Sequence, residues 1–422
     1  MKLGVKSFSF YPSDFFNFLM CVVLFTPEIF KSLGGTWNTL YIAVGFLSLL
    51  YIIVQLPFRL LRMNYPTSSA NRISFKNNSI IIVFLCFALW VIISDLVARS
   101  FNVSRFLFVS KVFCFYLMLA NSKQEKKIRL LSCVYFYCYI IILINVLTQF
   151  MYPKGIVNVS LFSWQNYYFL KNANSFIFFY LFTLSLGCIL SFYSRKRLKL
   201  SVYILVAIEI ISYLKEGAQS STTGFIIIVL SLLLNCLLMT GILKKIIRFI
   251  TKHFFIFLIV ITAIFLSIIF SEYIRTNIIL PLISHLSSDE FSFEARIYIW
   301  DYSIQSVLSH PFFGLGTSST RIITSILDKK MTSSHNNYLQ IAVFAGFPAL
   351  ALFISFIVLT IKKIYNKNQL WVSSLFIAVF LFMIVFLVEQ NPFNELFFYL
   401  ALISLCVDGS DVSKKLPATE EM

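Results

Sequence analysis

The sequence predicts an all-α, polytopic membrane protein with about twelve transmembrane helices and one large loop late in the chain, and three observations carry that prediction. Of the 422 residues, 59% are hydrophobic and 13% are charged, against roughly 25% charged in a soluble domain. The apolar residues fall in runs of about 17 to 25, the length that crosses a bilayer as a helix. The runs are continuous and do not alternate, which excludes a β-barrel and leaves helices to satisfy the backbone in lipid.

In chain order the predicted spans lie near 15–33, 36–57, 78–97, 102–120, 129–152, 173–194, 200–215, 222–243, 254–272, 336–361, 370–389 and 392–408. Basic clusters follow every even-numbered span: Arg59/Arg62/Arg72/Lys76, Lys123/Lys126/Lys127/Arg129, Arg195/Lys196/Arg197/Lys199, Lys244/Lys245/Arg248/Lys252 and Lys362/Lys363/Lys367. That alternation is the pattern of cytoplasmic loops, so both termini are expected in the cytoplasm. It also accounts for the net charge of +17 without a nucleic-acid partner. Lys2 and Lys6 precede the first span with no small-residue cleavage site after it, so that span is expected to be retained. All eight cysteines lie in or beside apolar runs, without metal spacing, and read as small hydrophobes.

The opposite face has short loops except for 153–172 and 273–335. The chain is expected to form a single integral membrane domain over 1–422, with 273–335 as its one large external loop. Charge in that loop is balanced between Arg275, Arg296, Arg321, Lys329 and Lys330 and the acids Glu272, Asp289, Glu290, Glu294, Asp301 and Asp328. Within it, Ile297, Trp300, Ile304, Val307 and Leu308 recur at helical spacing, predicting an amphipathic helix over about 294–309. Pro311, Gly314 and Gly316 then end it.

Four polar segments can carry chemistry. In Ser333-Ser334-His335-Asn336-Asn337-Tyr338-Leu339, either serine can cap the tenth span. His335 then falls in the first helical turn, where the helix dipole favours a neutral ring. That suits a general base; a plain helix-end anchor is the competing reading. Arg296, four residues before Trp300, offers an always-charged fork for phosphate oxygens, or else snorkels to lipid headgroups. Arg321 and Arg275 are weaker candidates of the same kind. Lys215 and Glu216 open a polar turn between spans seven and eight, as functional charges or as a simple interfacial pair. Lys171-Asn172-Ala173-Asn174 opens the sixth span with amides that can bind sugar hydroxyls or merely cap the helix. Glu209, Lys111, Glu389 and Glu395 lie in or at the ends of spans, where each is expected to have a partner or to line a cavity. No metal-ligand motif is present, and no cofactor is expected.

Arg296-x-x-x-Trp300, His310-Pro-Phe-Phe-Gly-Leu-Gly316, Ser334-His335-Asn336-Asn337-Tyr338-Leu339 and Gly346-Phe-Pro348 together resemble the O-antigen ligase/polymerase superfamily. The motifs cover about residues 294–348, and the layout of spans with one dominant late loop is similar over the rest. Asn172-Ala-Asn174 is similar to the family's Asn-rich opening of a mid-chain span. Members often carry Ser-Arg after the polar turn, whereas this chain reads Ser221-Thr222-Thr223-Gly224. Lys215 is the substitute charge considered for the arginine absent at Thr222.

The resemblance implies a GT-C-like, metal-independent glycosyltransferase in the bacterial inner membrane, acting on undecaprenyl-diphosphate-linked glycan at the periplasmic face. It most resembles an O-antigen polymerase, for which lipid-linked glycan is both donor and acceptor. His335 and Arg296 would be catalytic; Lys215, Arg321, Arg275, Asn336, Asn172, Asn174 and Trp300 would bind substrate. Membrane lipid and a chain-length regulator protein are the expected partners. The nearer rival is a ligase transferring to lipid A–core. A flippase is more distant, because neither an internal repeat nor a broken mid-membrane helix is evident from the sequence.

Overall fold

The computed structural model describes residues 12–63 except 28–29 and 31–32, then 79–101, 103–122, 124–156, 168–170, 173–192, 196–216, 219–239, 242–254, 290–317, 324–326, 329–331, 334–365, 370–388 and 394–406, with short pieces between 256 and 278. Thirteen helices of eleven residues or more carry the described chain: α1 (Pro12–Leu24), α2 (Gly35–Met63), α3 (Ser79–Val97), α4 (Val103–Asn121), α5 (Gln124–Met151), α6 (Ala173–Ser191), α7 (Lys196–Glu216), α8 (Gln219–Met239), α9 (Ile242–Lys252), α10 (Glu290–Ser309), α11 (Asn337–Tyr365), α12 (Leu370–Val388) and α13 (Glu395–Cys406). A short antiparallel hairpin, β1 (Thr324–Ile326) with β2 (Lys329–Met331), sits between α10 and α11 and pairs Thr324 with Met331.

Helices stand where the apolar runs are. Stretches long and apolar enough to cross a membrane lie in α2 (Gly35–Gln55), α3, α5 (Lys126–Met151) and α11. Shorter apolar helices cover Phe106–Ala120, Phe176–Ser191, Gly224–Leu238, Trp371–Leu387 and Glu395–Cys406. Large hydrophobes lie exposed along them, among them Leu50, Ile53, Leu89, Leu147, Phe150 and Ile226. Such surface is unfavourable in water and natural against lipid tails. The ninth predicted run, 254–272, is described only in pieces.

The chain divides into two compact units. The first comprises 1–70, 110–232 and 406–422; the second comprises 71–109 and 233–405. In the first, α5, α6 and α7 pack mutually and α1 lies on α5. Their interface holds a polar chain: Asn145 Nδ2 donates to Tyr180 Oη at 3.0 Å, Tyr180 Oη meets Ser212 Oγ at 2.7 Å, and Ser212 Oγ donates to Gln149 Oε1 at 2.7 Å. Asn145, Gln149, Tyr180 and Ser212 are fully buried. In a low-dielectric interior such groups must be mutually satisfied, and the chain meets that demand. Lys111 is also buried, with its ammonium 5.0 Å from the centre of the Tyr41 ring. Glu209 departs from the expectation of a partner: among the described residues neither of its buried carboxyl oxygens has a hydrogen bond.

In the second unit, α11 is the hub and packs on α3, α9, α10 and α12. Phe84, Phe87, Phe353, Phe356, Phe397 and Phe398 form its aromatic core, with Phe356 and Phe398 centroids 5.0 Å apart. The hub is a broken helix, which corrects the sequence expectation. At Gly346 the backbone leaves the helical region (φ 76°, ψ −179°), and Pro348 follows in the first turn of the continuing half, where a missing N–H costs nothing.

A break in a buried helix frees polar backbone groups, and each needs a partner. The segment after α10 supplies them. Leu315 N donates to Val343 O at 2.8 Å, Gly316 N to Phe344 O at 2.9 Å, and Phe347 N to Pro311 O at 2.8 Å. Trp90 Nε1 on α3 donates to Ala345 O at 3.0 Å, and the Trp90 ring stacks on Phe313 at 5.3 Å. The approach requires glycine at two points. A Cβ on Gly314 (φ 63°) would lie 2.5 Å from Val343 O, and one on Gly346 would run into the Phe312 backbone.

Candidate active site

The second unit carries the sharpest polar segment and both residues singled out as catalytic. Asn336, not Ser333 or Ser334, caps α11. Its Oδ1 accepts from Leu339 N at 3.0 Å, and its carbonyl accepts the first helical bond from Gln340 N at 2.9 Å, which is N-cap geometry. Asn336 Nδ2 donates to Leu387 O, near the end of α12, at 3.1 Å. One side chain therefore starts one helix and satisfies the end of another.

Ser334 serves the loop. Its N–H donates to Gln340 Oε1 at 2.8 Å. Its hydroxyl lies within reach of the same oxygen (2.9 Å) and of Asn336 O (2.8 Å), donating to one at a time. Ser334, Asn336, Asn337 and Gln340 are all buried. Between them His335 is turned outward: it is half-buried and has φ of 45°. A left-handed backbone is uncommon for a residue with a side chain, and it persists only where its surroundings enforce it. Here the bonds on both sides of His335 do so. His335 therefore lies just before the cap and outside the first helical turn, a correction to the predicted placement. The ring still sits at the helix N-terminal end, where added positive charge is disfavoured.

The helix predicted near 294–309 is α10, which begins at Glu290 and packs on α11. Arg296 lies in it, with its side chain outside the described residues. Trp300 and Val307 are buried as expected, with Ile299 and Ser303, whereas Leu308 is exposed. The inward stripe is therefore Ile299, Trp300, Ser303 and Val307, one step round from the predicted one.

The segment after α10 is pinned at its far end by a residue the sequence analysis missed. Asp95, fully buried near the end of α3, accepts from Thr317 N and from Thr317 Oγ1, both at 2.7 Å. Ser100 Oγ donates to Asp95 Oδ1 at 3.2 Å. A lone acid in an apolar run was the available signal. Gln340, Trp90 and the buried Asn145–Tyr180–Ser212–Gln149 chain were missed as well; nothing in their spacing marks them.

The remaining candidates are not brought to this segment by anything described. Lys215 belongs to the first unit, exposed in the last turn of α7 with its ammonium 5.3 Å from the Phe150 ring centre. Asn174 lies in α6 with its side chain outside the described residues. Asn172, Arg275 and Arg321 lie outside them altogether, as do Lys171 and Glu389. Just before them, the 168–170 turn is held to α5 by Leu170 N donating to Asn145 Oδ1 at 2.8 Å. Among the described residues, no three His, Cys, Asp or Glu side chains gather as metal ligands would.

Chemically, the second unit offers an imidazole at a helix start, an arginine-bearing helix packed against it, and an interlocked backbone beneath both. Comparison with known families agrees with that layout. Residues 217–354, from the start of α8 to the middle of α11, match the family described as O-antigen ligase. No curated protein matches the chain.

Proposed function

Starting from a chain whose residues 217–354 belong to the O-antigen ligase/polymerase superfamily, we propose that it polymerises undecaprenyl-diphosphate-linked repeat units of O-antigen, or of a related surface polysaccharide, at the periplasmic face of the inner membrane. The observation that carries the reading is the enforced outward placement of His335 between two buried hydrogen-bonding residues, Ser334 and Asn336.

The leaving group is a lipid-anchored diphosphate, so the reaction belongs at the membrane surface. His335 takes the proton from a sugar hydroxyl of the acceptor unit. That oxygen attacks the anomeric carbon of the donor chain, the new glycosidic C–O bond forms, and the bond to the diphosphate breaks with inversion. Arg296 neutralises charge growing on the departing diphosphate through its bidentate fork. Lys215, Arg275 and Arg321 bind anionic parts of the substrates; Asn172, Asn174, Asn336 and Trp300 bind sugar. No divalent metal takes part, and a chain-length regulator protein acts on the same enzyme.

The family's description favours a second reading, transfer of finished polymer to lipid A–core. The gene deletion separates the two. Polymerase loss leaves single repeat units on lipid A–core and removes the long ladder from a polysaccharide gel. Core without any repeat unit, with lipid-linked polymer accumulating, contradicts the polymerase reading and establishes the ligase. Transport is disfavoured because the broken-helix carbonyls of Val343, Phe344 and Ala345 are already occupied by Leu315, Gly316 and Trp90, whereas transporters keep such groups for their cargo.

A further inference from the structure

Helix α9, only eleven residues long, spans about 16 Å and cannot cross a bilayer. Its sequence, Ile242-Leu-Lys-Lys-Ile-Ile-Arg-Phe-Ile-Thr-Lys252, presents three different faces. Leu243 and Ile247 are buried, followed by Phe254 just beyond the helix, and α9 packs on α11 and α12. Ile246 and Phe249, one turn apart, are 50% and 59% exposed. Lys245, Arg248 and Lys252, at spacings of three and four, form an exposed basic ridge.

Acidic side chains do not balance this ridge. The sequence has no Asp or Glu between Glu216 and Glu272, and α11 and α12 carry none either. The last turn of α11 adds Lys362 and Lys363 to the same unit. Like charges at helical spacing repel, so a ridge of this kind is favoured only beside a source of negative charge. The exposed Ile246 and Phe249 need an apolar medium. One surface supplies both, since anionic headgroups lie directly above acyl chains.

We propose that α9 lies in the headgroup layer of the cytoplasmic leaflet and binds anionic phospholipid, with Lys245, Arg248 and Lys252 on the lipid phosphates and Ile246 and Phe249 in the acyl region. This site is separate from the proposed catalysis and does not depend on it. Each basic residue near an anionic surface strengthens binding about fivefold, so the three together are worth roughly 100-fold.

The test is a titration of the detergent-purified full chain with phosphatidylglycerol or phosphatidylcholine, counting bound lipid by native mass spectrometry. The wild type should prefer phosphatidylglycerol. K245Q/R248Q/K252Q should lose roughly 100-fold in affinity for it and leave phosphatidylcholine binding unchanged. If the triple variant does not purify as a monodisperse protein, K245Q alone should lose about fivefold. Equal binding of the two lipids by wild type, or undiminished phosphatidylglycerol binding by the variants, overturns the proposal. A spin label at I246C in vesicles gives a second reading: it should report acyl-chain depth, and an aqueous environment overturns the placement. Inorganic phosphate offered instead of lipid should not compete; competition would mean a plain anion site and contradict a membrane-docked helix.

Discussion

At the residue scale, the account rests on side chains that are each committed twice. Asn336 caps α11 and also receives the end of α12; Asp95 holds both the backbone and the side chain of Thr317. Removing such a group orphans buried partners, at about 1–3 kcal/mol for each unsatisfied group. Asp95→Ala is therefore expected to lower the thermal midpoint of the detergent-solubilised protein clearly. Asp95→Asn, which keeps an acceptor for Thr317 N, should recover most of the loss. Equal midpoints for Asp95→Ala and wild type would mean that the clamp carries no stability. Arg296 belongs to this scale too. Arg296→Lys keeps the charge and loses the fork, so repeat-unit polymerisation should fall at least about tenfold at matched membrane abundance, on the scale of one lost charge-assisted hydrogen bond. An unchanged ladder would make Arg296 an interfacial anchor.

At the scale of elements, Gly346→Ala tests the break in α11. The left-handed backbone costs a side chain on the order of 1–3 kcal/mol, and the new Cβ would strike Phe312. We expect little folded protein from that variant, whereas Ala345→Gly, beside the break, should be tolerated better. Equal yields of folded Gly346→Ala and wild type would contradict the break. The comparison also shows what the sequence displays and what it hides. Apolar runs reveal helices because burial in lipid leaves the backbone no alternative, and α3, α6 and α12 begin within about a residue of their predicted starts. The break was hidden although Gly346 and Pro348 signal one locally, because its partners come from Leu315 and from Trp90, far upstream in sequence. The cap was misplaced for the same reason. Ser333, Ser334, Asn336 and Asn337 are all capping types, and the choice is made by Leu387 and Gln340 across the fold. His335 and Arg296 were legible because a lone imidazole and a guanidinium stand out beside apolar runs.

At the scale of the molecule, the alternation of basic clusters implies twelve crossings with 273–335 outside the cytoplasm. Cysteine labelling from the two sides of the membrane should therefore place 280–330 outside and both 195–199 and 244–252 inside; labelling of 280–330 only from the cytoplasm would remove the site from its substrate. The central claim joins this topology to chemistry: a periplasmic site polymerises lipid-linked glycan with His335 as base and without a divalent metal. The most direct measurement reconstitutes the purified protein with lipid-linked repeat units in excess EDTA and follows polymer length, for wild type and His335→Ala. The account predicts a ladder from wild type and a rate lower by about 100-fold or more from His335→Ala, the scale of a lost general base. A wild-type ladder from His335→Ala, or polymer that forms only when magnesium or manganese is restored, would contradict it.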